Sequence, residues 1–178
     1  EKIFSFFIEI TKRVARHKID SLILYDDQAM QSGPMFSMEL WRKHFKPRYK
    51  NIFDSIHDNG MKVYFHTCGK LEQFLIELCE IGVDIIDNKQ PELWMLSDSA
   101  QNMRGTMCYS SCIDIQNKIF SIKASEIKDE VKRLIKTLST EIGGFVGTYY
   151  HQQNLPIPKE KNKLMIEAFQ SYNVALNK

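Results

Sequence analysis

Lys62-Val63-Tyr64-Phe65-His66-Thr67-Cys68-Gly69 is the stretch on which the reading of this chain turns. An apolar, β-prone run stops at His66, and Cys68 and Gly69 follow at once. Side chains alternate faces along a strand, so His66 and Cys68, two apart, are expected to point the same way. Imidazole and thiolate are both zinc ligands, and glycine permits the sharp turn that leaves the strand. The plain alternative is a histidine hydrogen-bonded at a strand end and a cysteine packed as a small hydrophobe.

Working outward from this strand, helix and strand alternate. An amphipathic helix is predicted over 2–17, with Ile3, Phe6, Phe7, Ile10 and Val14 on one stripe. A short strand over 19–25 ends at Asp26-Asp27, and a loop over 28–36 carries Gly33-Pro34. Ser37 is placed to cap the next helix, which Pro47 should kink or divide and which Asn59-Gly60 ends. After the strand over 61–66 the pattern repeats. Helix is expected over 71–81, strand over 83–87, helix from Pro91 to about 102, and strand over 104–109. A loop over 111–120 precedes a helix capped by Ser125, and strand over 144–149 and helix over 158–176 close the series. Five short apolar strands between amphipathic helices predict a parallel sheet in one α/β domain spanning 1–178.

Polar residues gather at the carboxyl ends of the predicted strands. They are Asp26 and Asp27; His66 and Cys68; Asn88, Gln90 and Glu92; Cys112, Asp114 and Gln116; and Tyr149, Tyr150 and His151. A functional mouth at that end is the general rule for α/β sheets and barrels.

With 178 residues the chain can bury a sizeable core. A net charge of +2 argues against a nucleic-acid surface. No apolar run approaches membrane-spanning length. Cys68, Cys79, Cys108 and Cys112 have no disulfide-framework spacing, so they read as the reduced thiols of a cytoplasmic protein. The chain starts at Glu1 without a signal-peptide layout and reads as truncated or cut from a longer chain.

The chain resembles the uroporphyrinogen decarboxylase superfamily, which also contains the corrinoid:thiol methyltransferases. The resemblance is carried by Asp26-Asp27-x-x-x-Gln31-x-Gly33-Pro34-Met35-x-Ser37, Trp41-Arg42, Phe45-Lys46-Pro47-Arg48-Tyr49-Lys50 and Gly60-Met61-Lys62-Val63. It continues through His66-x-Cys68-Gly69, Ile81-Gly82-Val83-Asp84, Gln90-Pro91-Glu92, Ile113-Asp114-x-Gln116 and Gly143-Gly144, with His151 before Pro158. It implies a (β/α)8 TIM barrel, of which these five strands would be the C-terminal portion. Exposed edges would then need covering, which makes a homodimer one expectation.

Two branches of the superfamily imply two activities. The methyltransferase branch, the nearer one, implies zinc at His66 and Cys68 and methyl transfer from a methyl-corrinoid held by a partner protein to a small thiol. Its third ligand is usually a cysteine in the last loop, where this sequence has His151, with Cys112 as a replacement. Asp114, Glu92 and Asp27 are the candidate catalytic carboxylates, and Asp26, Gln31, Gln116 and Tyr150 the candidate substrate-binding residues. The decarboxylase branch implies a tetrapyrrole substrate and a place in porphyrin biosynthesis. His151 matches that branch's last-loop histidine, but Asp27 replaces a serine and the branch lacks His-x-Cys. A relative that binds but does not catalyse is the third reading. A corrinoid-binding module is rejected, because Asp54 lies one residue too early for its Asp-x-His-x-x-Gly motif. The basic cluster Lys43, Lys46, Arg48 and Lys50 reads as a solvated helix face.

Overall fold

The computed structural model describes residues 2–150 and 155–176, with side chains as far as 172. The chain divides into two compact units, 1–87 and 88–178.

The first unit opens with helix α1 (Lys2–Val14), extended by a 3-10 turn over Ala15–His17 that Lys18 ends in the left-handed region. Strand β1 (Ser21–Tyr25) follows. The loop predicted after it contains a small antiparallel hairpin, β2 (Ala29–Met30) with β3 (Gly33–Pro34). Helices α2 (Met38–His44) and α3 (Lys46–Asp58) come next, then β4 (Lys62–His66), α4 (Leu75–Glu80) and β5 (Ile85–Asp87). Ser37 caps α2 as predicted, its Oγ accepting from the Leu40 N–H at 3.2 Å. Pro47 divides the helical stretch: the chain breaks at Phe45 and restarts with proline in the first turn of α3, where its missing N–H costs nothing. Gly60, with φ +75°, turns the chain from α3 into β4.

Strands β1 and β5 both pair in parallel with β4. The register places Tyr25 opposite His66 and His66 opposite Asp87. Leu24, Val63, Phe65 and Ile86 project to the helix face, where Tyr49, Ile52, Phe53 and Ile56 of α3 meet them; Val63, Phe65 and Ile86 are fully buried. Residues of the opposite parity, Ile23, Tyr25, Tyr64 and His66, are at least partly open. Alternation therefore separates a core face from a more open face on the same strands.

The second unit contains α5 (Asp98–Asn102), β6 (Cys108–Ser111), α6 (Lys118–Ser121), α7 (Ile127–Leu138), β7 (Phe145–Gly147) and α8 (Lys159–Leu176). β6 and β7 are parallel. Ile127, Val131, Leu134 and Leu138 are buried at helical spacing along α7. Several predicted boundaries differ, among them the strand expected over 104–109, which lies at Cys108–Ser111. The helix expected from Pro91 is only a 3-10 turn over Pro91–Leu93, and α5 starts afresh at Ser97, whose Oγ accepts from the Ala100 N–H. The loop expected over 111–120 holds the start of α6. Ser125 caps nothing: it lies inside a 3-10 turn whose leading amide, Lys123 N–H, is satisfied by the Glu126 carboxylate at 3.0 Å. None of the four cysteines is disulfide-bonded, and among the described residues no helix is long and apolar enough to cross a membrane.

Candidate metal centre

At the carboxyl end of β4 the expected pair is formed. The Cys68 Sγ stands 3.5 Å from the His66 Nε2. Two ligands on one tetrahedral zinc, with bonds near 2.0 and 2.3 Å, would sit about 3.6 Å apart. The pair is thus already at the spacing that a shared metal requires. On its other ring nitrogen, Nδ1, His66 meets the Asp87 Oδ2 at 2.5 Å. That contact leaves Nε2, the atom facing Cys68, as the ring nitrogen that could bind a metal. Both partners are largely shielded from water, with side-chain exposures of 14% and 6%. Tyr25 covers one side of the imidazole, its ring centroid 4.9 Å away.

The loop after β1 brings in a carboxylate. Asp27 Oδ1 accepts the Cys68 N–H at 2.7 Å. One ligand atom each from Asp27, His66 and Cys68 lies within 4.8 Å of the others, the only such trio among the described residues. The neighbouring residues lock this arrangement. Gln28 N–H donates to the buried Thr67 Oγ1 at 2.9 Å, so residues 27–28 and 67–68 are laced by two consecutive hydrogen bonds. The Gln28 side chain, itself buried, donates to the Tyr49 hydroxyl at 2.9 Å and accepts from the Trp41 indole N–H at 3.0 Å. Asp26 turns away from the trio and accepts the Tyr49 hydroxyl proton. Burial, with Asp26 beside it, pushes the Tyr49 phenol far above its ordinary pKa, so it stays a donor.

The remaining predicted residues fall in other settings. Gln31 is exposed in the turn of the β2–β3 hairpin. Glu92 is held by Lys118 and Arg133, which also bind Glu130. The buried Asp114 spends its Oδ1 on the Gln116 and Asn117 N–H groups and shapes the turn into α6. The Gln116 side chain is exposed, and the Tyr150 carbonyl accepts from the Asn162 amide. Cys112 is fully buried in the second unit. His151 lies outside the described residues. Sequence reasoning passed over Gln28, Thr67 and Asp87. Thr67 and Asp87 both stood at strand ends where a side chain could have been looked for. Lys46 of the basic cluster is no bare cation, since it pairs with Glu77 and Glu80.

A family model for uroporphyrinogen decarboxylase matches residues 1–172. No curated protein matches the chain by sequence. Among solved structures, a methyltransferase from Methanosarcina mazei superposes with a TM-score of 0.72 at 13% identity, over 96% of this chain and 47% of that one. An uncharacterized B. cereus protein gives 0.56 at 12% identity, over 95% of this chain and 41% of that one. A family 10 endo-β-1,4-xylanase from Gloeophyllum trabeum gives 0.55 at 12%, over 91% and 65%. The chain thus spans less than half the length of the first two. At such identities the likenesses speak for fold alone, and the fold is that of part of a (β/α)8 barrel.

Proposed function

The chain belongs to the uroporphyrinogen decarboxylase family, and from that premise we propose that it serves zinc-dependent methyl transfer from a methyl-corrinoid, carried by a partner protein, to a small thiol. One observation carries the reading: Cys68 Sγ and His66 Nε2 stand at metal-sharing distance, with Asp87 on the far nitrogen of the ring. By the resemblance, the decarboxylase branch carries no His-x-Cys at this strand end.

His66 and Cys68 would hold the metal, and a third ligand would complete three protein contacts with one position left for substrate. The resemblance places that third ligand in the last loop, where this sequence has His151, and Cys112 is the replacement the sequence offers. When bound, zinc lowers the pKa of a coordinated thiol and keeps it as thiolate at neutral pH. The protein's own part is orientation. Asp87 fixes the imidazole plane and its tautomer, and Tyr25 shields one face of the ring. In the reaction the substrate sulfur attacks the methyl carbon. A C–S bond would form as the methyl-corrinoid, acting as substrate, gave up its methyl group and kept the electron pair of the broken bond. The thiol proton is released to solvent.

Zinc analysis after dialysis tests the metal. The wild-type chain, once supplied with zinc, should hold one equivalent, and Cys68→Ser should lose it, since a hydroxyl replaces a thiolate. Equal zinc in both, or none in the wild type, would end the reading. Activity is tested with methylcobalamin and 2-mercaptoethanol. Thioether should form with the zinc-loaded wild type and not with Cys68→Ser, and uroporphyrinogen should be left unchanged.

A further inference from the structure

We infer that Asp27 is the third protein ligand of the metal held by His66 and Cys68, in place of any residue from the last loop. The inference rests on the metal reading above and departs from the ligand set that the family resemblance implies.

Three observations carry it. First, Asp27 is the only acidic, histidine or cysteine side chain among the described residues whose ligand atom falls with those of His66 and Cys68, all within 4.8 Å. Second, its position is built. Asp27 Oδ1 takes the Cys68 N–H at 2.7 Å, and the next residue is tied to Thr67, so the carboxylate is fixed to the backbone of the ligand it would assist. A carboxylate has about four lone-pair sites, so accepting one N–H leaves it able to bind a cation. Third, its neighbour is directed elsewhere. Asp26 is turned to the Tyr49 hydroxyl, and Tyr49 is held in turn by Gln28. The adjacent pair is therefore divided: one carboxylate anchors the loop to α3, and the other faces the strand end.

The donor set is one imidazole nitrogen, one thiolate and one carboxylate oxygen. Thiolate and carboxylate together neutralise a divalent cation, which the His66–Cys68 pair alone does not. Nitrogen, oxygen and a single sulfur suit zinc and its spectroscopic stand-in cobalt(II). All three ligands fall between residues 27 and 68, so metal capture is independent of His151.

Cobalt(II) titration of the whole chain tests this, read by thiolate-to-cobalt charge transfer and by competition with zinc. The variants are Asp27→Asn, which keeps an oxygen for the Cys68 N–H, Asp27→Ser as a second acceptor-bearing replacement, and His151→Ala. Circular dichroism establishes that each is folded. Replacing the carboxylate should weaken zinc binding by about tenfold to a hundredfold and alter the ligand-field bands, while the charge-transfer band, owed to Cys68, persists at saturation. His151→Ala should bind within about twofold of wild type, as a non-ligand should. Wild-type affinity in whichever Asp27 variant folds, or loss of binding in His151→Ala alone, overturns this inference and leaves the proposed function standing. No charge-transfer band in the wild type overturns both.

Discussion

Gly69 shows how closely the loop after β4 is packed. Its φ is +86°, and a Cβ built on it would stand 2.4 Å from the Ala29 carbonyl oxygen, a backbone atom that cannot swing aside. Alanine there incurs both the left-handed penalty and a clash with β2. Gly69→Ala should cost about 2–4 kcal/mol in chemical denaturation and displace Cys68 enough to weaken zinc binding. An alanine variant with wild-type stability and zinc affinity would contradict this. At this scale the sequence was readable in part. His66 and Cys68 could be paired from the period of a strand, because both sit on one chain segment. Asp87 could not, because its partnership depends on which residue of β5 lies opposite His66, and local sequence does not encode that. Asp27 was visible as a carboxylate at a strand end. Its division of labour with Asp26 depends on Tyr49, which stands more than twenty residues away.

Among the elements, the loop after β1 is the one whose placement matters most, and Gln28 places it. This buried side chain joins the Trp41 indole of α2 to the Tyr49 hydroxyl of α3, while its backbone N–H reaches Thr67 beyond β4. Gln28→Ala would leave the buried indole N–H without its acceptor and open a small cavity. The expected loss is about 2–4 kcal/mol of stability, together with a looser Asp27. Thermal unfolding with and without zinc checks it. The variant should be less stable in both conditions and should gain less from the metal than wild type does. Boundaries set by an element's own residues were legible in the sequence. Pro47 divided its helix and Ser37 capped α2. Boundaries failed where a nearby side chain took over the end, as Glu126 does for Ser125 and Ser97 does for a helix expected to run on from Pro91.

For the molecule as a whole, acid should be the sensitive direction. Burial by itself would raise the carboxyl pKa of Glu130, but hydrogen bonds from Arg133 and Lys118 outweigh it and hold the group below the ordinary range. Asp84 behaves alike: burial opposes ionisation, and hydrogen bonds from Lys62, His57 and the Val63 N–H overcome it. A carboxyl lowered in the folded state gives stability that is complete above its unfolded pKa, about 4.3 for Glu and 3.9 for Asp. That stability is lost as pH falls through the lower folded value. Melting temperature should therefore stay level from neutral pH to about 5 and fall below about 4. Glu130→Gln should melt lower than wild type at pH 7 and converge with it in acid. A gap that persists unchanged at pH 3 would show that the ion pairs are not its source.

The row Tyr25, His66, Asp87 runs across three strands that are hydrogen-bonded side by side. A slip of one residue in β5 would set Ile86 or Asn88 opposite His66 and turn the carboxylate to the far face. Such a chain could keep much of its secondary structure, and circular dichroism would hardly distinguish it. It would lose the contact that fixes the imidazole. If the proposed zinc is bound, its stoichiometry also reports register: a slipped fraction would bind none, while the correctly registered fraction would hold one equivalent each.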